Sequence, residues 1–124
     1  MLTIKRDDYT GREFTSLVER ELEKYKDDYK MTHVTVGNLS VSYKDSMIDK
    51  VKVEYQDFDI PLIKVRFEGE DWENNFTYSE RLEEMKYIKF KELDLEDHRE
   101  VTSVEFRSTM WQETVNVFLE RVSK

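Results

Sequence analysis

Cysteine is absent from the 124 residues, which excludes disulfides, zinc fingers, thiol catalysis and iron–sulfur clusters. Alanine is also absent, glycine occurs three times and proline once. All three are ordinarily common residues, and all three use GC-rich codons. Lys, Glu and Tyr are well supplied instead, so the bias points to a low-GC genome such as a Gram-positive bacterium or its phages. Three glycines cannot build a phosphate cradle, and no P-loop, GxGxxG or GxSxG pattern occurs. No stretch approaches the roughly 20 apolar residues of a membrane span. The opening residues, Met1 to Asp8, carry no apolar run behind their charges, so no secretory signal is expected and the cytoplasm is the expected compartment. The sequons at Asn38 and Asn75 are therefore read as chance.

What the chain has in abundance is charge and aromatic surface. Charged residues make up 39% and aromatics 13%, and the formal net charge is −8. The aromatic content is too high for a disordered chain, and the length suits one domain with one core. The charge is unevenly placed. Residues 1–43 hold 7 basic and 8 acidic side chains, whereas residues 68–100 hold 12 acids and 5 bases. An acidic surface repels nucleic-acid phosphates and suits basic partners or solubility.

Periodicity supplies the elements. Leu2 and Ile4 alternate with Thr3 and Lys5 as a short edge strand. Thr10 and Glu13 form a capping-box pattern, and Phe14, Leu17, Val18, Leu22, Tyr25 and Tyr29 share one stripe, predicting a helix over 10–28. Val34, Val36, Leu39, Val41 and Tyr43 flank Gly37-Asn38 with period two, predicting a hairpin over 32–43. Its register pairs Val36 with Leu39, Val34 with Val41 and Thr32 with Tyr43, and gathers the apolar residues on one face. Further strands are read at 51–55, 63–67, 86–92 and 102–106, with an extended segment from Trp72 to Tyr78 and a helical turn or two over 79–85. Trp111, Val115, Phe118, Leu119 and Val122 fall at helical spacing behind the capping pair Thr109 and Gln112, predicting a C-terminal helix. The expected fold is α+β: a curved antiparallel sheet of five to seven strands, with the N-terminal and C-terminal helices on one face. This element order resembles the helix-grip, START-like fold. That resemblance implies a ligand cavity between sheet and C-terminal helix, with an apolar pocket near Trp111 and Phe118.

Candidates for chemistry are sparse. Asp94, Glu96, Asp97 and His98 have ligand-type side chains, but their spacing matches no metal loop. Asp57-x-Asp59 and Glu68-x-Glu70-Asp71 lack the full calcium-loop pattern. Glu54, Asp59 and Lys64 are a nuclease-like trio of a kind that is cheap in so charged a chain. Tyr87, Lys89 and Lys91 share a strand face that could stack bases and meet phosphates, but acids flank it. No cofactor and no metal are expected, and the chain reads as non-catalytic.

The remaining signal is aromatic residues ringed by carboxylates, which suits protein contact. Glu68, Glu70, Asp71, Trp72, Glu73, Tyr78, Asp94, Glu96 and Asp97 are the expected partner-binding residues, on a continuous acidic surface. The partner would be a protein with a basic surface, with neither nucleic acid nor membrane bound directly. The expected role is that of a phage or mobile-element inhibitor of a host defence nuclease, of anti-CRISPR or anti-restriction type, with possible DNA mimicry. A toxin-neutralising immunity protein, a small hydrophobic-ligand binder and a phage structural component are the alternatives.

Overall fold

The computed structural model describes residues 2–26, 28–69, 75–94, 99–109 and 113–121, with side chains described except at 43–46, 92–94 and 99–102. The helix starts where the capping pattern places it but ends at Glu23, short of the expected 28, and Tyr29 of the expected stripe opens a strand instead. α1 spans Gly11–Glu23 and opens on a complete capping box: Thr10 Oγ1 accepts from the Glu13 N–H, and the Glu13 carboxylate accepts from the Thr10 N–H. The Thr10 hydroxyl, and then the Thr10 N–H, hold the Glu13 carboxyl below its usual range by hydrogen bonding to it. Phe14, Val18 and Leu22 are fully buried along one stripe, each contributing about 1.5–3 kcal/mol by leaving water.

Among the described residues there are eight strands: β1 Leu2–Lys5, β2 Tyr29–Val36, β3 Leu39–Gln56, β4 Leu62–Gly69, β5 Phe76–Arg81, β6 Met85–Asp94, β7 Arg99–Ser108 and β8 Val115–Arg121. They form one antiparallel sheet in the order β1-β6-β7-β8-β2-β3-β4-β5. β3 is the long member, joining the expected second hairpin strand and the strand at 51–55 into one. Its first part pairs with β2 and its second part with β4. Bulges at Met31/His33 and Ile48/Lys50 shift its registers, which bends the strand.

The sheet curls over its own apolar face. β5 ends the order on one side, yet its Tyr78 ring stacks on Phe106 of β7 with centroids 4.6 Å apart. Its buried Glu80 accepts from Ser108 Oγ at 2.9 Å. A single 3-10 turn, Leu82–Glu84, carries the chain from β5 to β6 on the opposite flank, and its Leu82 is buried with the following Met85. α1 packs against β3 and β1. Its first residue, Gly11, lies so close to Tyr55 and Leu82 that an added Cβ would meet them at 3.0 and 3.1 Å.

The expected C-terminal helix is not formed. Val115–Arg121 is β8, a central strand between β7 and β2. The stretch satisfies two periods at once. Val115, Val117 and Leu119 also alternate, Val117 and Leu119 are buried, and β-branched residues favour the pleated surface. Two unsatisfied neighbouring strands, β7 and β2, decide in favour of the sheet. The cavity implied by the helix-grip resemblance loses its helix. Phe118 faces away from the core and stacks on His33, centroids 4.2 Å apart at 7°.

Candidate functional site

Of the expected partner-binding residues, Glu68 and Tyr78 have described side chains, and the two do not share a surface. Tyr78 is a core residue, 7% exposed, and its hydroxyl donates to Met85 Sδ at 3.3 Å. Burial, and then the Glu80 charge, push its phenol up. The period-two pattern put Tyr78 on a face of β5, and the curl of the sheet turned that face inward, so its expected place at a partner surface is corrected. Glu68 lies on the outer face of β4, where Arg66 Nε reaches it at 2.8 Å and Lys52 Nζ at 3.9 Å. Lys52, Glu54, Lys64, Arg66 and Glu68 line a shallow groove of about 280 Å³, in which three cations outnumber two carboxylates. Its own bases therefore neutralise Glu68. Asp94 closes β6, opposite Arg99 in register. Glu70, Asp71, Trp72, Glu73, Glu96 and Asp97 lie outside the described residues, as do His98 and Trp111. The two stretches that hold them follow β4 and β6.

The other sequence candidates also resolve. Glu54 and Lys64 are cross-strand partners, while Asp59 stands in the β3–β4 connection, outside both strands. Among the described residues no three His, Asp or Glu side chains gather as a metal site. Tyr87, Lys89 and Lys91 do share the outer face of β6, but Glu105 of β7 ties them down. Tyr87 donates to it at 2.8 Å and Lys91 pairs with it at 2.9 Å. Burial pushes the Glu105 carboxyl up, and those two hydrogen bonds with the Lys91 and Lys89 charges outweigh it, leaving it below its usual range.

The feature that stands out from the body is the β2–β3 hairpin. Gly37, at φ +58°, supplies the left-handed conformation the two-residue turn demands. Its N–H donates to the Thr114 carbonyl at 3.4 Å. The expected pairs Val36–Leu39 and Val34–Val41 form, and the bulge at Met31/His33 replaces the expected Thr32–Tyr43 pair. The apolar side chains do share one face. It belongs to the core face of the sheet, in a cross-strand row Ile4, Ile88, Phe106, Val115, Val36, Leu39. The core ends before the row does: Val36 is 37% exposed, Leu39 74% and Val41 59%. An open groove of about 270 Å³ lined by Val36, Phe76 to Ser79 and Val115 lies alongside. The periodicity predicted burial for this face. The signal that distinguishes it is charge: residues 31–43 contain no Asp, Glu, Lys or Arg in a chain that is 39% charged.

Comparison with family models, curated proteins and solved structures finds no match to this chain. No helix among the described residues is long and apolar enough to cross a membrane.

Proposed function

We propose that this chain is a non-catalytic interaction protein that binds a partner with a basic surface. The observation that carries the reading is the formal net charge of −8, seven units of which fall within residues 68–100. Such an excess attracts a basic surface over a Debye length and speeds encounter. Glu70, Asp71, Trp72, Glu73, Asp94, Glu96 and Asp97 are the contact residues proposed, with Glu68 and Tyr78 withdrawn. The role is inhibition of a nuclease or other basic-surfaced protein, in the manner of an anti-CRISPR, anti-restriction or immunity protein. The low Ala, Gly and Pro content favours a phage or mobile-element source.

The purified chain used as bait at low and at high salt tests this. The expected result is a partner retained at low salt, released at high salt, and lost from the variant Glu70→Gln/Asp71→Asn/Glu73→Gln. A complex indifferent to salt and to that variant would overturn it. A second reading, a structural component that assembles with its own copies, is favoured by the exposed apolar hairpin.

A further inference from the structure

We propose that this chain forms a two-fold dimer in which the outer edge of β3 at Leu39–Ser42 pairs antiparallel with the same edge of a second copy. The backbone states the need. β3 pairs with β2 from Leu39 to Met47, and β4 joins its other side only from Ile48 onward. Among the described residues the outer edge of Leu39–Ser42 has no strand beside it. Residues 36–42 are exposed throughout, so this edge is open to solvent on both faces. Unpaired N–H and C=O groups in a row are a template for another strand. Proteins that remain monomeric blunt such edges with lysine, proline or a covering loop. None of these devices is present in 36–42, and the apolar side chains that should be hidden are the exposed ones.

The occupant follows from the chemistry of the edge. A charged partner finds nothing to pair with on this edge, since 36–42 carries no acidic or basic side chain. A copy of the same segment fits without adjustment. A two-fold pairing sets position i opposite j with i + j constant and even, so odd positions meet odd ones. Centred on Val41, Val41 faces its counterpart, Leu39 faces position 43, and Ser40 faces Ser42 of the other copy. Apolar positions then share one face of the joint and serines the other. Centring on Ser40 would draw the Gly37-Asn38 turn into the ladder, so the Val41 register is the one assigned. The contact is isologous, as in most homodimers, and continues the apolar row of the sheet from one copy into the next. It covers Leu39 and Val41, and the exposed Val36 beside them.

The inference is independent of the basic-partner reading, and salt separates the two. Two copies of charge −8 repel through their remaining surfaces, so screening strengthens the dimer while it weakens a charge-steered complex.

Sedimentation or light scattering on the full chain, from about 10 μM to about 1 mM, spans the affinities at issue. Dimer is expected, in greater proportion at high salt, and Leu39→Lys/Val41→Lys should be monomeric with an unchanged circular dichroism spectrum. A monomer across the range, or a dimer that persists in that variant, overturns the proposal. Single cysteines give the second measurement in a chain that has none. Opposed Cα atoms in an antiparallel pair lie about 4.5–5.5 Å apart, within disulfide reach of about 4.4–6.8 Å. Val41→Cys should therefore oxidise to a covalent dimer well ahead of Ser16→Cys on the exposed side of α1. Equal rates for the two overturn the Val41 register and the edge contact with it.

Discussion

At the scale of single residues, the two buried carboxylates, Glu80 and Glu105, are held by specific partners. Glu80 sits in the interior of the curl and is satisfied by Ser108 Oγ and the Arg81 N–H. Glu105, 8% exposed on the outer face, is held by Tyr87 and Lys91. Its carboxyl is depressed in the folded chain, so the sign of its contribution follows from linkage. The stabilisation is complete above the unfolded carboxyl value, about 4.3, and is lost as pH falls through the lower folded value. Glu105→Gln should thus be less stable than the parent at neutral pH. The gap in urea midpoint should close as pH drops into the range below about 4. A gap that stays constant with pH would show that the charge plays no part.

At the scale of elements, local chemistry and long-range context contribute unequally. α1 carries its own start signal in Thr10 and Glu13, and it forms where they place it. The hairpin turn is equally local. Gly37 needs its positive φ, and a Cβ there would also collide with the Glu113 carboxyl group. That carboxyl is the far end of a flexible, exposed side chain and can swing away, so the conformational cost dominates. Gly37→Ala should lose about 1–2 kcal/mol in denaturant unfolding, and Gly37→Asn less, because Asn tolerates the left-handed region. Equal losses would mean that the Glu113 contact, not φ, sets the cost.

For the whole molecule, the decisive element is β8. It joins β1-β6-β7 to β2-β3-β4-β5, so the sheet is continuous only through it. Val117 discriminates the two periodicities. On a helix it lies off the stripe of Trp111, Val115 and Phe118, whereas in β8 it is fully buried between Val104 and Val34. Val117→Asp places an unpaired carboxylate there and should unfold the chain or leave it about 3–5 kcal/mol less stable, as thermal melts would show. A neutral effect would place residue 117 on a surface.

The capped helix, the Gly37-Asn38 turn with its Val36–Leu39 and Val34–Val41 pairs and the β6–β7 hairpin were all readable along the chain, because each is specified by contacts close in sequence; the edge strand β1 was readable only from its own alternation, since its partner β6 is distant along the chain. The β8 strand, the uninterrupted β3 and the inward turn of Tyr78 were not. Each depends on which distant strands need a neighbour and on how far the sheet curls, and no short stretch encodes either. The same reason explains Leu39 and Val41. Alternation assigns them to the core face of a sheet, and only the extent of the folded layers decides that the core stops short of them.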